Sequence, residues 1–535
     1  MSVRNATILL LALSTLFFLA GCGSSSNKGT PPPTGGFAAS NFKGTYVFST
    51  AGYDVNGDFL TIAGTLQPNG SLGINGGTVD IVSADFGAST NESISNSSYT
   101  IGADGRGQIF FTANTSAGAT RFELAFVLSS NSHGLVTEFD GNGTGSGTID
   151  LQTAPSQSQL AGNYTFSISG TGAGSNATFY ATVGSVTLGA SGGVTAGFQD
   201  INNGGGTNVY PNLAVSTSSF VTVGSGTAPG SAQLATTVGS TSVTYSYDVY
   251  AIDSTHLKLI ETDGQLVTVG DLFTQATSLP VSATLTYTMS GGDASGGPLA
   301  VGGFIPLDGN SNVTTGGLED VNDAGSVGQA TNFGGGFSTL TSGRSVLTLT
   351  SFENGATNDV LGTYTFAAYP FTSNGVTGVE LLEIDGGITT GAAYQQTGTA
   401  FAASQGYGFN LSAIDLGSGS GEFEEDDIAE FTTTSSAFTG LADVNDQGQT
   451  SPAQTIKGGS YSAGGAGRYT VTTSNFVNFN LYAVNDSTFL MLETDVGQIG
   501  TGVVEIQNAT AAPGGEPGIA RAMSRPGAPA ALRRK

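Results

Sequence analysis

The sequence predicts an all-β protein, on three observations. Short runs such as "TYVFST" and "VTYSYDVYAI" alternate polar and apolar residues, which places successive side chains on opposite faces of a strand. Gly occurs 83 times among abundant Ser, Thr and Asn, the residues that close tight turns. No window carries an apolar stripe at i, i+3, i+4, i+7 over a helical length. At 535 residues, 38% of them hydrophobic, the chain is too long for one core and holds several.

The N-terminus reads as a leader. "MSVRNATILLLALSTLFFLAGC" has Arg4, an apolar run from Ala6 to Ala20 and small residues before Cys22, too short a run for a membrane span. Residues 1–21 are therefore expected to be a signal peptide. The Leu19-Ala20-Gly21-Cys22 sequence resembles the lipobox of bacterial lipoproteins with a type II signal. The resemblance implies lipidation of Cys22, which is also the only Cys in the chain, so no disulfide forms within it. Gly23 rather than Asp after Cys22 implies, by the sorting rule for such lipoproteins, an outer-membrane or cell-surface location. Residues 22–40 then read as the lipidated Cys and a flexible tether, since "GSSSNKGTPPPTGG" offers nothing to a core.

The body of the chain repeats. "GLEDVNDAG" around Asp320 is matched by "GFQDINNGG" around Asp200, "GLADVNDQG" around Asp443 and, more weakly, "GTVDIVSAD" around Asp80, at spacings of 120, 120 and 123 residues. Each is followed by a Glu-x-Asp pair: Glu138 and Asp140, Glu261 and Asp263, Glu383 and Asp385, Glu493 and Asp495. Each unit then closes on a Gln: Gln152, Gln275, Gln396 and Gln507. Units of this size are small domains rather than solenoid turns. The expected division is 41–155, 156–278, 279–402 and 403–510, four tandem antiparallel β repeats of about 120 residues.

Within the first unit, alternating runs lie near 44–50, 59–66, 72–81, 93–101, 108–113, 120–128, 134–139 and 147–151, joined by polar turns. Roughly eight sequential strands predict a meander closed into a barrel, with a β-sandwich as the alternative. The third unit opens on "LTYTM" instead of the Gly-x-Tyr-x-Phe form, which leaves its first strand the least defined. With that opening, D-x-N-x-x-G segments and E-x-D-G ends, the mature chain resembles Gly-rich tandem-repeat surface lipoproteins of bacteria. That resemblance implies no activity.

The net charge of −26 leaves the folded part strongly acidic, which excludes nucleic acid as a partner and disfavours anionic lipid. Arg521, Arg525, Arg533, Arg534 and Lys535 concentrate basic charge in residues 511–535, expected to be a disordered tail.

Asp320, Asn322 and Asp323, with Asp443, Asn445 and Asp446, have the front half of a calcium loop, but the bidentate Glu further on is missing. They stand as weak calcium candidates whose plainer reading is a turn. The Glu-x-Asp carboxylates share one strand face at a spacing that invites comparison with glycoside hydrolysis. Four identical copies argue against catalysis, and strand parity turns Glu261 and Glu493 towards the apolar side, where they accept backbone N–H bonds at a barrel rim. Together with Asp80 and Asp200, these acids are expected to be structural.

His133 and His256 are read as residues flanking turns, and "EFEEDD", 422–427, as a solvated loop with some affinity for cations. Phosphate-loop, zincin, nucleophile-elbow and Cys-metal motifs are absent from the sequence. The expected function is non-catalytic binding, adhesion or spacing at a cell surface, with the membrane as one partner through Cys22 and an extracellular polymer or protein as another. The alternatives are a polysaccharide hydrolase using acids of one repeat, whose signature is a unit that breaks the repeat pattern, and a barrel carrying a small apolar ligand.

Overall fold

A computed structural model describes residues 36–173, 178–330, 332–352, 360–417 and 423–509. The signal segment, Cys22, Glu422 and the basic tail lie outside the described residues.

Strands of the first unit run Tyr46–Asp54, Phe59–Pro68, Ile74–Ser83, Gly87–Ser93, Ser95–Ile101, Arg106–Thr115, Gly118–Leu128, His133–Phe139 and Gly143–Leu151. They pair in chain order, and the first strand then pairs with the last, in a register running from Tyr46 opposite Leu151 to Asp54 opposite Gly143. The sheet is a nearly closed barrel of nine strands, open only between Gly87–Ser93 and Ser95–Ile101. The expected eight missed Gly87–Ser93, "GASTNES", which has no apolar face to alternate.

In the second and third units, meanders of nine strands each wrap so that the first pairs the last, Tyr164 with Thr274 and Leu285 with Gln395. A short bridge between Thr274–Gln275 and Phe371–Thr372 links these two into one extended sheet. Eight strands of the fourth unit, Gly406–Asp415 to Gln498–Ile506, form a closed barrel. The sandwich alternative is therefore overturned. The third unit's first strand is regular, Thr284–Gly292.

Each barrel is filled by its own inward-pointing side chains: Phe48, Phe111 and Phe126 in the first, Phe166 and Leu259 in the second, Tyr287 and Phe366 in the third, Phe409, Phe431 and Phe489 in the fourth. Four further apolar clusters lie between barrels, first with second, second with third, third with fourth, and fourth with first. The four barrels thus form a closed ring. A fifth shared cluster brings together Phe273 and Phe371 with Tyr394, Leu490 and Val503, from the second, third and fourth barrels.

The ring's two chain ends meet. Phe37, inside the expected tether, is buried in the first barrel's core together with Ala509 from the other end of the fold. The tether therefore stops short of Phe37.

Candidate functional site

The repeat landmarks are the joints of this ring. "GLEDVNDAG" is not mainly a turn: Leu318–Asp323 is a strand, and the turn is confined to Ala324 and Gly325, both at positive φ (47° and 84°). Gln447 and Gly448 do the same in the fourth barrel, at 45° and 86°. Two consecutive positive φ values are the type I′ hairpin condition. A Cβ on Gly325 would stand 2.4 Å from the carbonyl oxygen of Val496, so this turn abuts the neighbouring barrel.

The aspartates of this landmark point out of their own barrel into the next. Asp200 receives Arg344 Nε and Nη2 at 2.7 and 2.6 Å and the Tyr369 hydroxyl at 2.5 Å, all from the third barrel. Asp320 receives Arg468 at 2.8 and 3.1 Å and Tyr482 at 2.6 Å from the fourth. Asp443 receives Arg106 of the first barrel at 2.6 Å, which closes the circle. From the second barrel Asp80 receives the Tyr250 hydroxyl, at 2.7 Å, and meets no cation, with the Asp248 carboxyl beside it. Burial, with Asp248 beside it, pushes the Asp80 carboxyl up to about 7.

Local folding aims these carboxylates. Beside Asp80, Asp200 and Asp443 the strand pairing slips by a bulge, and Asn91, Asn212 or Ala453 at φ near 54°, 55° and 52° turns its N–H onto the Asp. A bulge re-aims a side chain in this way.

Two residues on, Asn202, Asn322 and Asn445 donate to carbonyls of the next barrel's Glu-x-Asp turn. Asn322 Nδ2 reaches Glu493, Asp495 and Gln498 oxygens at 3.2, 3.2 and 2.9 Å. Asn202 reaches Glu383 and Gly387, and Asn445 reaches Glu138 and Gly143. In the first barrel Val82 holds this position and packs among Tyr250 and Ile260 instead.

The closing glutamines complete the joints. Gln152 donates to the Ala251 carbonyl, Gln396 to Ala483 and Gln507 to Leu128, each in the following barrel. The residue after each Gln adds a backbone bond: Thr153 to Ile252, Ala276 to Pro370, Thr397 to Val484 and Asn508 to Ser129. Asp320, Asn322, Asp443 and Asn445 are thus engaged with groups of the neighbouring barrel.

Two of the Glu-x-Asp glutamates and all four aspartates hold barrel rims. Glu383 accepts from the Gly387 and Thr389 amides at 2.8 and 3.0 Å, and Glu261 from Gln265 at 3.2 Å. Asp140 accepts from the Glu123 and Asn142 amides, Asp263 from Ser246, Asp385 from Thr365 and Asp495 from Asn478. Desolvation, then the neighbouring Asp263, raises Glu261 to about 9, and the same causes through Asp385 raise Glu383 to about 7.

The histidines are more than turn-flanking. His133 opens the strand His133–Phe139, is buried, and meets Asp150 at 2.6 Å and Glu505 of the fourth barrel at 3.1 Å. Burial pushes its pKa down, but Glu505 and Asp150 outweigh that and hold it well above the usual imidazole range. His256 and the fully buried Lys258 both meet Asp271, at 2.7 and 3.3 Å. Only Glu505 comes from another barrel; Asp150 and Asp271 sit on the strand adjacent to the histidine's own.

The "EFEEDD" segment breaks the repeat. It is not a loop: Phe423–Thr433 is a strand of the fourth barrel, in register with Gly406–Asp415. Asp426 faces the first barrel and accepts Thr144 and Ser146 hydroxyls at 2.8 and 2.7 Å. Glu425 and Asp427 share the parity of Ala429 and Phe431 and so point into the barrel. By register, the matching interior residues are Leu60 and Ile62, Tyr180 and Thr182, and Leu299 and Val301 in the other barrels. Asp415, Asp446 and Glu493 fall on the inward parity of their own strands at the same mouth.

Carboxylate oxygens of Asp415, Glu425 and Asp446 all lie within 4.8 Å of one another. Below them Asp427 is fully buried, and neither of its oxygens has a hydrogen-bond partner. Asp54, Asp58 and Asp85 form a comparable group at the first barrel's mouth. There Asp54 is satisfied by the Asn56 and Asp58 amides at 2.9 and 3.0 Å, an ordinary turn.

No protein-family model matches the chain, and no curated protein matches it. Among solved structures, it is similar to kievitone hydratase from Nectria haematococca at 8% identity and a TM-score of 0.16, covering 70% of this chain and 94% of that one. It is also similar to intact Ap-TbpB with its N and C lobes, at 9% identity and a TM-score of 0.18, covering 70% and 84%. Superpositions this loose carry no argument about function.

Proposed function

We propose that this chain is an exported surface protein, anchored by lipid on Cys22, that serves as a rigid non-catalytic platform for binding, adhesion or spacing. The observation that carries the reading is the use of the repeated acids. Asp80, Asp200, Asp320 and Asp443 are consumed in joints, and Glu261, Glu383, Asp140, Asp263, Asp385 and Asp495 in rims. Acids tied into hydrogen bonds in four copies build a scaffold, whereas hydrolysis needs a pair open to substrate. The ring's rigidity supports presentation of an outer surface at fixed geometry, and the acidic body supports a protein or neutral polymer as partner over nucleic acid.

Fractionation of cells expressing wild type and Cys22→Ser tests the anchor. Wild type is expected in the membrane pellet and the variant in the soluble fraction; equal pelleting overturns it. For the platform, release of reducing sugar from soluble polysaccharides by the purified chain, abolished in Glu425→Gln, is the result that overturns a non-catalytic role.

A further inference from the structure

We infer that the mouth of the fourth barrel is a binding site for one divalent cation of calcium size, held by Asp415, Glu425 and Asp446 with Asp427 as its buried floor. Calcium takes oxygen ligands at about 2.3–2.6 Å, so oxygens on opposite sides of one ion stand no more than about 5 Å apart. The 4.8 Å limit on the three upper carboxylates meets that condition without rearrangement.

Asp427 supplies the independent observation. A buried carboxylate without any donor is costly, and proteins normally satisfy or remove it. Here the other three barrels have removed it, with Ile62, Thr182 and Val301 at the same position. The fourth barrel has kept it and added Glu425 two residues earlier, on the same inward face. Among the described residues no Lys, Arg or His pairs with Glu425, Asp427 or Asp446. A dication resolves this accumulation of like charge, and the half-buried positions of Asp415, Glu425 and Asp446 give it an entrance.

The site differs from the calcium loop suggested by the D-x-N-D sequences. It shares only Asp446 with them, and its ligands come from three strands rather than one loop. It also stands independently of the surface role proposed above.

Calorimetric titration of the mature full-length protein, stripped with EDTA, with CaCl2 and separately MgCl2 tests the inference. The expected result is one calcium per chain at sub-millimolar or tighter Kd, with magnesium at least tenfold weaker. Asp427→Val installs the third barrel's residue and is expected to weaken calcium at least tenfold. The same variant should melt above wild type in EDTA, where like charges no longer meet, and below it in excess calcium. Glu425→Gln, at a half-buried position, provides a second variant with the same expected loss should Asp427→Val not fold. Absence of calcium heat in the wild type, unchanged affinity in the folded variants, or a melting shift of the same sign in EDTA and calcium overturns the site.

Discussion

The joint between the second and third barrels and the joint between the first and second put an aspartate in the same place and give it different company. Asp200 meets a guanidinium through two bonds and a tyrosine hydroxyl, and Asn202 beside it ties down the next barrel's rim. Across its joint Asp80 meets a tyrosine hydroxyl and the Asp248 carboxyl but no cation, and Val82 stands where the Asn would be. The first kind of joint is polar and charge-matched. The second leans on apolar packing of Val47, Phe59 and Val82 against Tyr250 and Val267. One repeated geometry thus tolerates two balances of forces, because the position of the acid is fixed by a backbone bulge rather than by its partner.

Removing the acid from a charge-matched joint breaks that comparison hardest. Asp320→Ala strands a mostly buried Arg468 and the Tyr482 hydroxyl and is expected to cost about 3–5 kcal/mol in urea unfolding. Asp80→Ala removes no cation's partner and should cost clearly less; equal losses would erase the distinction.

Next in size is Asn322→Ala, which removes the amide that donates to three carbonyls of the fourth barrel's rim. It is expected to cost about 1–3 kcal/mol by the same assay. The matching change at Val82 to Ala should act only through packing, without the loss of rim amide protection in hydrogen exchange.

The smallest effect carries a sign of its own. With the folded Asp80 carboxyl at about 7 and the unfolded one near 3.8, the folded state binds more protons between those values. Stability contributed at this joint therefore falls as pH rises from about 4 to 7 and is flat above. Asp80→Asn removes the charge but keeps only one acceptor oxygen for the two donors, the Asn91 amide and the Tyr250 hydroxyl. It should stabilise by about 1–2 kcal/mol above pH 7 and flatten the pH profile; a steeper profile would refute the assignment.

How far this was legible follows from sequence separation. Strand alternation and turn chemistry act over a few residues, so the all-β class and the meander could be read directly. Gly87–Ser93 escaped because both its faces are polar. The joints escaped because Asp200 and Tyr369 are 169 residues apart, and Arg106 and Asp443 are 337 apart. One signal did exist. Only 14 basic residues occur in the whole chain, yet Arg344 and Arg468 stand 124 apart, one repeat length, so their register with the aspartates marked them as partners. The "EFEEDD" strand was misread as a loop because clustered acids usually face water. Its departure from the repeat pattern was visible, whereas its inward parity was not until the register was fixed.

The seam between the fourth and first barrels has no covalent continuity, yet it uses the same bonds as the joints that do, down to the backbone bond from Asn508 to Ser129. Peptide linkage is therefore interchangeable around the ring. A circular permutant opened in the linker after Gln275, with Ala509 spliced to Phe37 through a short flexible insert, has every non-covalent joint available to rebuild the same molecule.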